Sequence, residues 1–374
     1  MAPASRIAAR LASLSHAQLV EIAAAGCDAS TQVKNRADAL LAAHKPLAQW
    51  AVEGVLLSSD LVPHLLAPLQ LEDGAAAAVC SRWAEGWKAT EEGRRRLRKV
   101  AFDFPQDLLG ERSLEMAVVP GGDDEQLVVK YGTTVDILGR DMSTSESFDL
   151  PNEIGCIAVS EEFLYSSNDE CTEVRCLTHD GEEVAQYEVQ DKCISYPTLA
   201  PDGLLLCVLY EEGDDTTQDE IVALDAVTMQ PRHRFGLSLL KEACGMAVVG
   251  EELFVCNVGN DRLQVFSLAG EHRRSITGEW KRPIALCSVK DRLYLIEAAD
   301  KARDEEGNLI NPQPGRRIFV LSSQGDTLQV YTHEVMVITG LLFSDVLCCF
   351  DGKLLAPIQD RKGRYEGVIA LDGV

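Results

Sequence analysis

Several things are missing from this chain of 374 residues, and each absence narrows the field. No apolar run approaches the roughly 18 residues that span a bilayer, so a membrane-spanning helix is excluded. The N-terminus lacks the uninterrupted apolar core of a secretory signal. None of the twelve cysteines stands in a CxxC pair, and Cys156, Cys207, Cys256 and Cys287 fall inside apolar, strand-like runs. Buried cysteine behaves as a small hydrophobe, so the plain reading is a reducing compartment, cytoplasmic or nuclear, with no zinc site. No glycine-rich phosphate loop, HExxH or GxSxG motif occurs, and neither cofactor nor metal is expected.

Basic residues are also scarce over most of the chain. Residues 1–100 carry 12 Lys+Arg against 10 Asp+Glu, whereas the remainder carries 23 against 49. Such a field repels phosphate backbones, which argues against nucleic acid, and it favours basic partners. The same acidity also serves to keep a large β-domain soluble. Ser5, Arg6, Arg10, Ser13 and Ser15 precede the first acid, Glu21. That pattern resembles an organelle transit peptide and equally fits an amphipathic first helix, so both readings stay open.

What is present is helical first and period-two afterwards. Ser15 and Gln18 form a capping box stapled by Leu14 and Leu19, and Gly26 supplies a stop. Further helices are expected near Thr31–His44, around Trp50–Val55, and over Ser59–Leu69 and Glu72–Trp87. The line Met246–Gly270 (MAVVGEELFVCNVGNDRLQVFSLAG) then shows a repeating unit of strand, polar loop, strand and turn glycine. Phe254 lies 16 positions before Gly270, and Tyr165 lies 16 before Gly181. A unit of this kind cannot bury its own faces, so copies must pack side by side around one core.

Six units are expected, over residues 112–151, 152–196, 197–242, 243–282, 283–338 and 339–374. The last stops one strand short after Gly367–Leu371. An open ring would leave costly unpaired edges. The alternating segment Val100–Phe104, within 98–105, is therefore expected to complete the sixth blade. The fold class is α + β multidomain: an N-terminal α-helical module (1–95) followed by an all-β six-bladed propeller (98–374).

Two resemblances extend this reading. Unit four, through Asn257, Asn260, Arg262, Val265, Phe266 and Gly270, resembles the NHL repeat, with Asn257 where that family carries aspartate. Unit two is more degenerate, with Asn168 matching Asn257 but Cys171 and Glu173 in place of the Asn and Arg. These polar residues are expected to be structural, tying loops within a blade. The stretch at about 56–87 resembles an F-box, the helical module that docks substrate receptors on the Skp-type adaptor of a cullin ubiquitin ligase. Leu57, Leu61, Leu65, Leu66 and Leu69 stand at its apolar face, and Asp73, Val79, Cys80 and Trp83 match its acidic loop and closing helix. Ser58 replaces an expected proline, one residue is missing before Val79, and Ala75–Ala78 replace larger leucines. Docking into a groove requires Leu61, Leu65 and Trp83 to be partly exposed, whereas a core helix buries them.

A propeller lyase or lactonase would need axial metal ligands. His179 and His272 instead fall at hairpin turns, and His233 and His333 in outer strands, so no enzyme is expected. Loops that join second and third strands share one face with the connections entering each blade. There the sequence places Asp169, Glu170, Glu211, Glu212, Asp214 and Asp215, then Asp304–Glu306 in an insertion that also holds Lys301, Arg303, Arg316 and Arg317. Converging acidic loops attract a basic peptide. The expectation is a non-enzymatic protein-binding platform, with a Skp-type adaptor and a basic target peptide as partners. The alternative is a scaffold whose helices brace the propeller.

Overall fold

In the computed structural model the described residues are 58, 61–67, 69, 71–109, 114–120, 125–150, 154–168, 170–211, 218–297, 317–333, 342–343, 346–359 and 365–374. The helices expected before residue 57 lie outside them. The chain divides into two units, Met1–Arg98 with Asp372–Val374, and Lys99–Leu371.

The second unit is a six-bladed β-propeller. A short strand, β1 (Arg98–Val100), comes first. Blade 1 holds β2–β5 (Leu114–Val119, Gln126–Tyr131, Thr134–Leu138, Thr144–Asp149), and blade 2 holds β6–β9 (Ile154–Val159, Phe163–Asn168, Glu173–Thr178, Glu183–Glu188). Blade 3 holds β10–β13 (Cys193–Leu199, Leu204–Tyr210, Asp219–Asp225, Pro231–Leu240), and blade 4 holds β14–β17 (Ala243–Val249, Glu252–Asn257, Arg262–Ser267, His272–Thr277). Blade 5 holds β18–β21 (Pro283–Val289, Arg292–Glu297, Arg317–Ser322, Thr327–Thr332). The sixth sheet combines β22 (Leu342–Phe343), β23 (Cys348–Phe350), β24 (Lys353–Gln359) and β25 (Tyr365–Asp372) with β1 at its edge.

The ring itself is visible in the innermost strands. β2, β6, β10, β14, β18 and β23 touch in that order, and β23 touches β2 again. Each middle strand buries both faces, one toward each neighbouring blade. Leu253 and Val255 pack with Leu206, Val208 and Ile221 of blade 3. Phe254 and Cys256 pack with Leu293, Leu295 and Phe319 of blade 5. This explains why the middle strands read as near-continuous apolar runs, while the outer strands alternate with exposed polar residues.

The 16-residue spacing has a physical origin in the turn between third and fourth strands. Gly181, Gly270 and Gly325 close equivalent turns at φ of +86°, +88° and +95°. A Cβ on each would fall within 2.8 Å of Phe148, Phe235 or Ile276, which comes from the outer strand of the preceding blade. Each turn thus seats a large side chain from its neighbour. Gly270→Ala is expected to cost ~2–4 kcal/mol, combining backbone strain with displacement of Phe235. Gly352→Ala, at φ +67° with nothing within 4 Å, isolates the strain alone and should cost ~1–2 kcal/mol. Urea midpoints check the pair, and equal losses would reject the seating argument.

Two expectations shift. The closing strand is Arg98–Val100, and Val100–Phe104 overlaps it only at its first residue. Phe104 is buried beside Leu114, Phe350 and Tyr365 without joining the ladder, and Pro105 cannot donate to one. Blade 3 opens at Cys193, before residue 197. Pro197 lies inside β10, where the register shifts between Ser195 and Thr198, so the proline marks a bulge and not a blade boundary.

In the first unit the described helices are α1 (Val62–Leu66), a 3-10 segment (Leu71–Ala78), α2 (Ser81–Ala89) and α3 (Glu91–Arg94). The single helix expected over Glu72–Trp87 is interrupted at Val79–Cys80, where Cys80 is fully extended. Val62, Leu66, Ala76 and Trp83 form a small core. Gly86 admits α1 closely, since a Cβ there would meet Val62 at 2.5 Å.

Candidate functional site

Antiparallel order puts the loops between second and third strands on the same face as the connections entering each blade. On that face Glu170 and Glu211 are exposed. Asp169, Glu212, Asp214, Asp215, Asp304–Glu306, Lys301, Arg303 and Arg316 lie outside the described residues.

The loop holding Glu170 is built by Asn168. Its Oδ1 accepts from the N–H groups of Thr172 (2.8 Å) and Glu173 (3.1 Å), while Nδ2 donates to the Thr172 hydroxyl at 2.8 Å. Cys171 then turns with φ +54°. Its carbonyl accepts from Ile194 N–H at 2.6 Å, and the Thr172 carbonyl accepts from Val189 N–H at 2.9 Å. The blade 2 loop is thereby seated on the start of blade 3. Tyr210, which precedes Glu211, lies opposite Cys193 in the β10–β11 ladder. Its phenol pKa is raised, first by burial and then by the side chain of Cys171, with smaller contributions from Cys193 and Cys156. Glu170 and Glu211 therefore flank the junction of blades 2 and 3, where the Cys171 carbonyl meets Ile194 N–H.

Asn257 works differently from its counterpart Asn168. It accepts from Lys241 N–H (2.9 Å) and donates to the Leu239 carbonyl (2.7 Å), tying the loop to the end of β13 and to the connection that enters its own blade. Asn260 donates to it at 3.0 Å. In blade 5 the equivalent post is Glu297. Fully buried, it accepts from Lys281 N–H at 3.0 Å and from Arg317 Nε and Nη2 at 2.5 and 2.7 Å. The sequence reading grouped Arg317 with the rim insertion, but it is committed to Glu297. The pair repeats the polar-residue-then-arginine pattern of Asn257 and Arg262. Residues 298–316 separate its two members, which concealed the match.

The face also carries cations that meet carboxylates. Lys192 meets Glu220 at 2.9 Å and Arg234 meets the same oxygen at 3.3 Å. Lys281 meets Asp261 at 3.3 Å, and Arg282 meets Glu242 at 3.4 Å. Such half-exposed pairs contribute little stability, but the last two neutralise charge on the face around blades 4 and 5. Net acidity at the described loops is thus concentrated near blades 2 and 3. Asp219 is buried there, accepts from Ala243 N–H at 2.6 Å, and has its pKa raised by burial.

The helical candidates are divided by exposure. Leu61 is exposed, while Leu65, Leu69, Val79 and Cys80 are half-buried. Leu66 is fully buried and Trp83 is only 8% exposed. The structure thus places Leu61 and Leu65 at a surface and Trp83 in a core. Of the histidines, His179 lies in the β8–β9 turn, His272 and His233 in outer strands, and His333 just beyond β21, stacked with Tyr331. Among the described residues no group of three or more His, Cys, Asp and Glu is placed to hold a metal ion. No described helix is long and apolar enough to cross a membrane.

No family model matches the chain, and no curated protein matches it. The NHL and F-box resemblances therefore rest on the residues that carry them. Solved structures do match. A luciferin-regenerating enzyme aligns at 12% identity over 75% of this chain and 95% of that one, with a TM-score of 0.53. A member of the DUF4221 family from Bacteroides vulgatus aligns at 11% identity over 74% and 98%, with a TM-score of 0.52. Virginiamycin B lyase from Staphylococcus aureus aligns at 10% identity over 74% and 99%, with a TM-score of 0.48. At these identities the likeness shows the propeller fold alone.

Proposed function

We propose that this protein is a non-enzymatic binding platform whose loop face on blades 2 and 3 takes a basic segment of a protein target. The observation that carries the reading is the joining of two acidic loops: exposed Glu170 and Glu211 sit beside Cys171 and Tyr210, and the Cys171 carbonyl accepts from Ile194 N–H next to Cys193, the cross-strand partner of Tyr210. Carboxylates fixed on a rigid scaffold steer a cationic partner and set its register. The finer form of the proposal is a substrate-recognition subunit of a cullin-type ubiquitin ligase. In that role α1 docks a Skp-type adaptor through Leu61 and Leu65, and the protein supplies effective concentration rather than chemistry. The burial of Leu66 and Trp83 favours a second reading, a scaffold whose helical segment is structural.

Charge reversal tests the first part. Glu170→Lys with Glu211→Lys is expected to weaken binding of a lysine-rich peptide by ~5–30-fold at low salt, with unchanged circular dichroism. Unchanged affinity rejects the loop-face site. For the second part, Leu61→Asp with Leu65→Asp alters the surface of α1 and leaves Trp83 in place. Capture of a Skp-type adaptor by the intact chain, lost in this variant, supports the ligase role. No capture under mild salt removes that role and leaves the scaffold.

A further inference from the structure

The cysteines are not equivalent. Cys207 and Cys256 are fully enclosed between blades, where burial drives their thiols far from the ionised form. Three others collect around one phenol. Cys193 is the cross-strand partner of Tyr210, and Cys171, followed by Cys193 and Cys156, raises the pKa of that phenol. All three are partly exposed thiols. Cys156 is engaged separately, accepting from the Ser195 hydroxyl at 3.4 Å.

Cys171 and Cys193 are brought together by the backbone as well as by the phenol. The hydrogen bond from Ile194 N–H to the Cys171 carbonyl is 2.6 Å long. One such bond sets the Cα atoms of Cys171 and Cys193 roughly 5–7 Å apart, which overlaps the span of a disulfide. Paired residues of a ladder also project to the same side, so Cys193 shares a side of the sheet with Tyr210. From these positions we infer that Cys171 and Cys193 form a dithiol–disulfide site, which ties the blade 2 loop covalently to the innermost strand of blade 3.

The chemistry needs a two-electron oxidant, and a small disulfide such as glutathione disulfide suffices. The Cys171 thiolate bonds to one sulfur of the small disulfide, the S–S bond breaks, and one small thiol leaves after taking up a proton. The Cys193 thiolate then bonds to the Cys171 sulfur and releases the second small thiol, also protonated. Two protein thiols are oxidised and one small disulfide is reduced to two thiols. Cys171 reacts first because it sits in a loop, whereas Cys193 is held in β10. Closing the bond fixes the position of Glu170 against blade 3. That consequence alone rests on the loop-face reading; the site does not.

The full chain, treated with glutathione disulfide, alkylated and digested, is expected to yield a Cys171–Cys193 linked peptide pair that dithiothreitol reverses. Cys193→Ser should stop the reaction at a mixed disulfide on Cys171, and Cys171→Ser should abolish the linkage. Cys256 should alkylate only after unfolding. Absence of the pair in the wild-type chain, a mixed disulfide on Cys171 that Cys193 does not resolve, or linkage through Cys156 instead would each overturn the inference. Peptide affinity measured on the reduced protein judges the loop face separately, so either idea can fail while the other stands.

Discussion

Trp280→Ala should cost ~3–5 kcal/mol, the range for removing a fully enclosed aromatic ring. Trp280 lies on the connection between β17 and β18, is 0% exposed, and meets Phe319 edge-on at 5.7 Å. It belongs to the core shared by blades 4 and 5, with Phe254, Ile276 and Leu293. Gly278 lies flat against the ring, since a Cβ there would come within 2.0 Å of it. A side chain clasped this closely leaves a void that its surroundings cannot collapse to fill. For a domain of this size each kcal/mol lowers Tm by roughly 2–4 °C, so a fall on the order of 10 °C is expected. Trp280 is also the sole tryptophan beyond residue 87. Its fluorescence therefore reports unfolding of the parent propeller in a Trp50→Phe, Trp83→Phe, Trp87→Phe background, and the Trp280→Ala variant, which lacks that reporter, is followed by circular dichroism. A Tm loss under about 3 °C would show that the ring is not a core element.

Glu297→Ala should be comparably damaging, at ~3–5 kcal/mol, for an electrostatic reason. The carboxylate is wholly buried and accepts from Arg317 and from Lys281 N–H. Deleting it strands a guanidinium that is 28% exposed and leaves a backbone donor without its acceptor. Arg317 also lies over the Phe319 ring at 4.9 Å, so it is held in place and cannot simply swing into water. Removing both charges is a different matter. Glu297→Leu with Arg317→Met should lose less than Glu297→Ala alone, because neither charge is then left without its counterpart. Urea unfolding of the single and double variants decides this. A double variant worse than the single would mean that the pair contributes through packing and not through charge.

The blades were legible because their evidence is local. Strand alternation and a closing turn glycine fall within one short stretch such as Met246–Gly270, and a side chain's tendency to face in or out is set by its own strand. Partners in other blades were not legible. Phe235 lies against Gly270 from a separate repeat. Cys171, in a loop of blade 2, and Tyr210, at the end of β11 in blade 3, belong to different blades, and nothing near either one in sequence marks the other. Asn168 and Asn257 occupy matching positions and yet serve different backbone groups, because the loop after Asn168 folds back on that side chain. The Glu297–Arg317 pair escaped because residues 298–316 interrupt the pattern. At Pro197 a rule that usually marks an element's end met a bulge instead. In the helical segment, apolar spacing located α1 and Trp83 but could not say which side of each would be covered.

The edge position of β1 in the sixth sheet bears on how the protein is made. Arg98, in β1, donates to Asp372, in β25, across 274 positions of chain. During translation at roughly 5–20 residues per second, that partner arrives on the order of 15–50 s after Arg98 has left the ribosome. Blades 1 to 5 can each assemble as they emerge, but every one does so beside a neighbour not yet complete. The nascent chain is thus an open arc with apolar flanks at both ends, and this is the interval in which chaperones guard such surfaces. A stop codon placed just before Tyr365 would make that interval permanent. The shortened product should accumulate in the insoluble fraction even though most of its blades are intact.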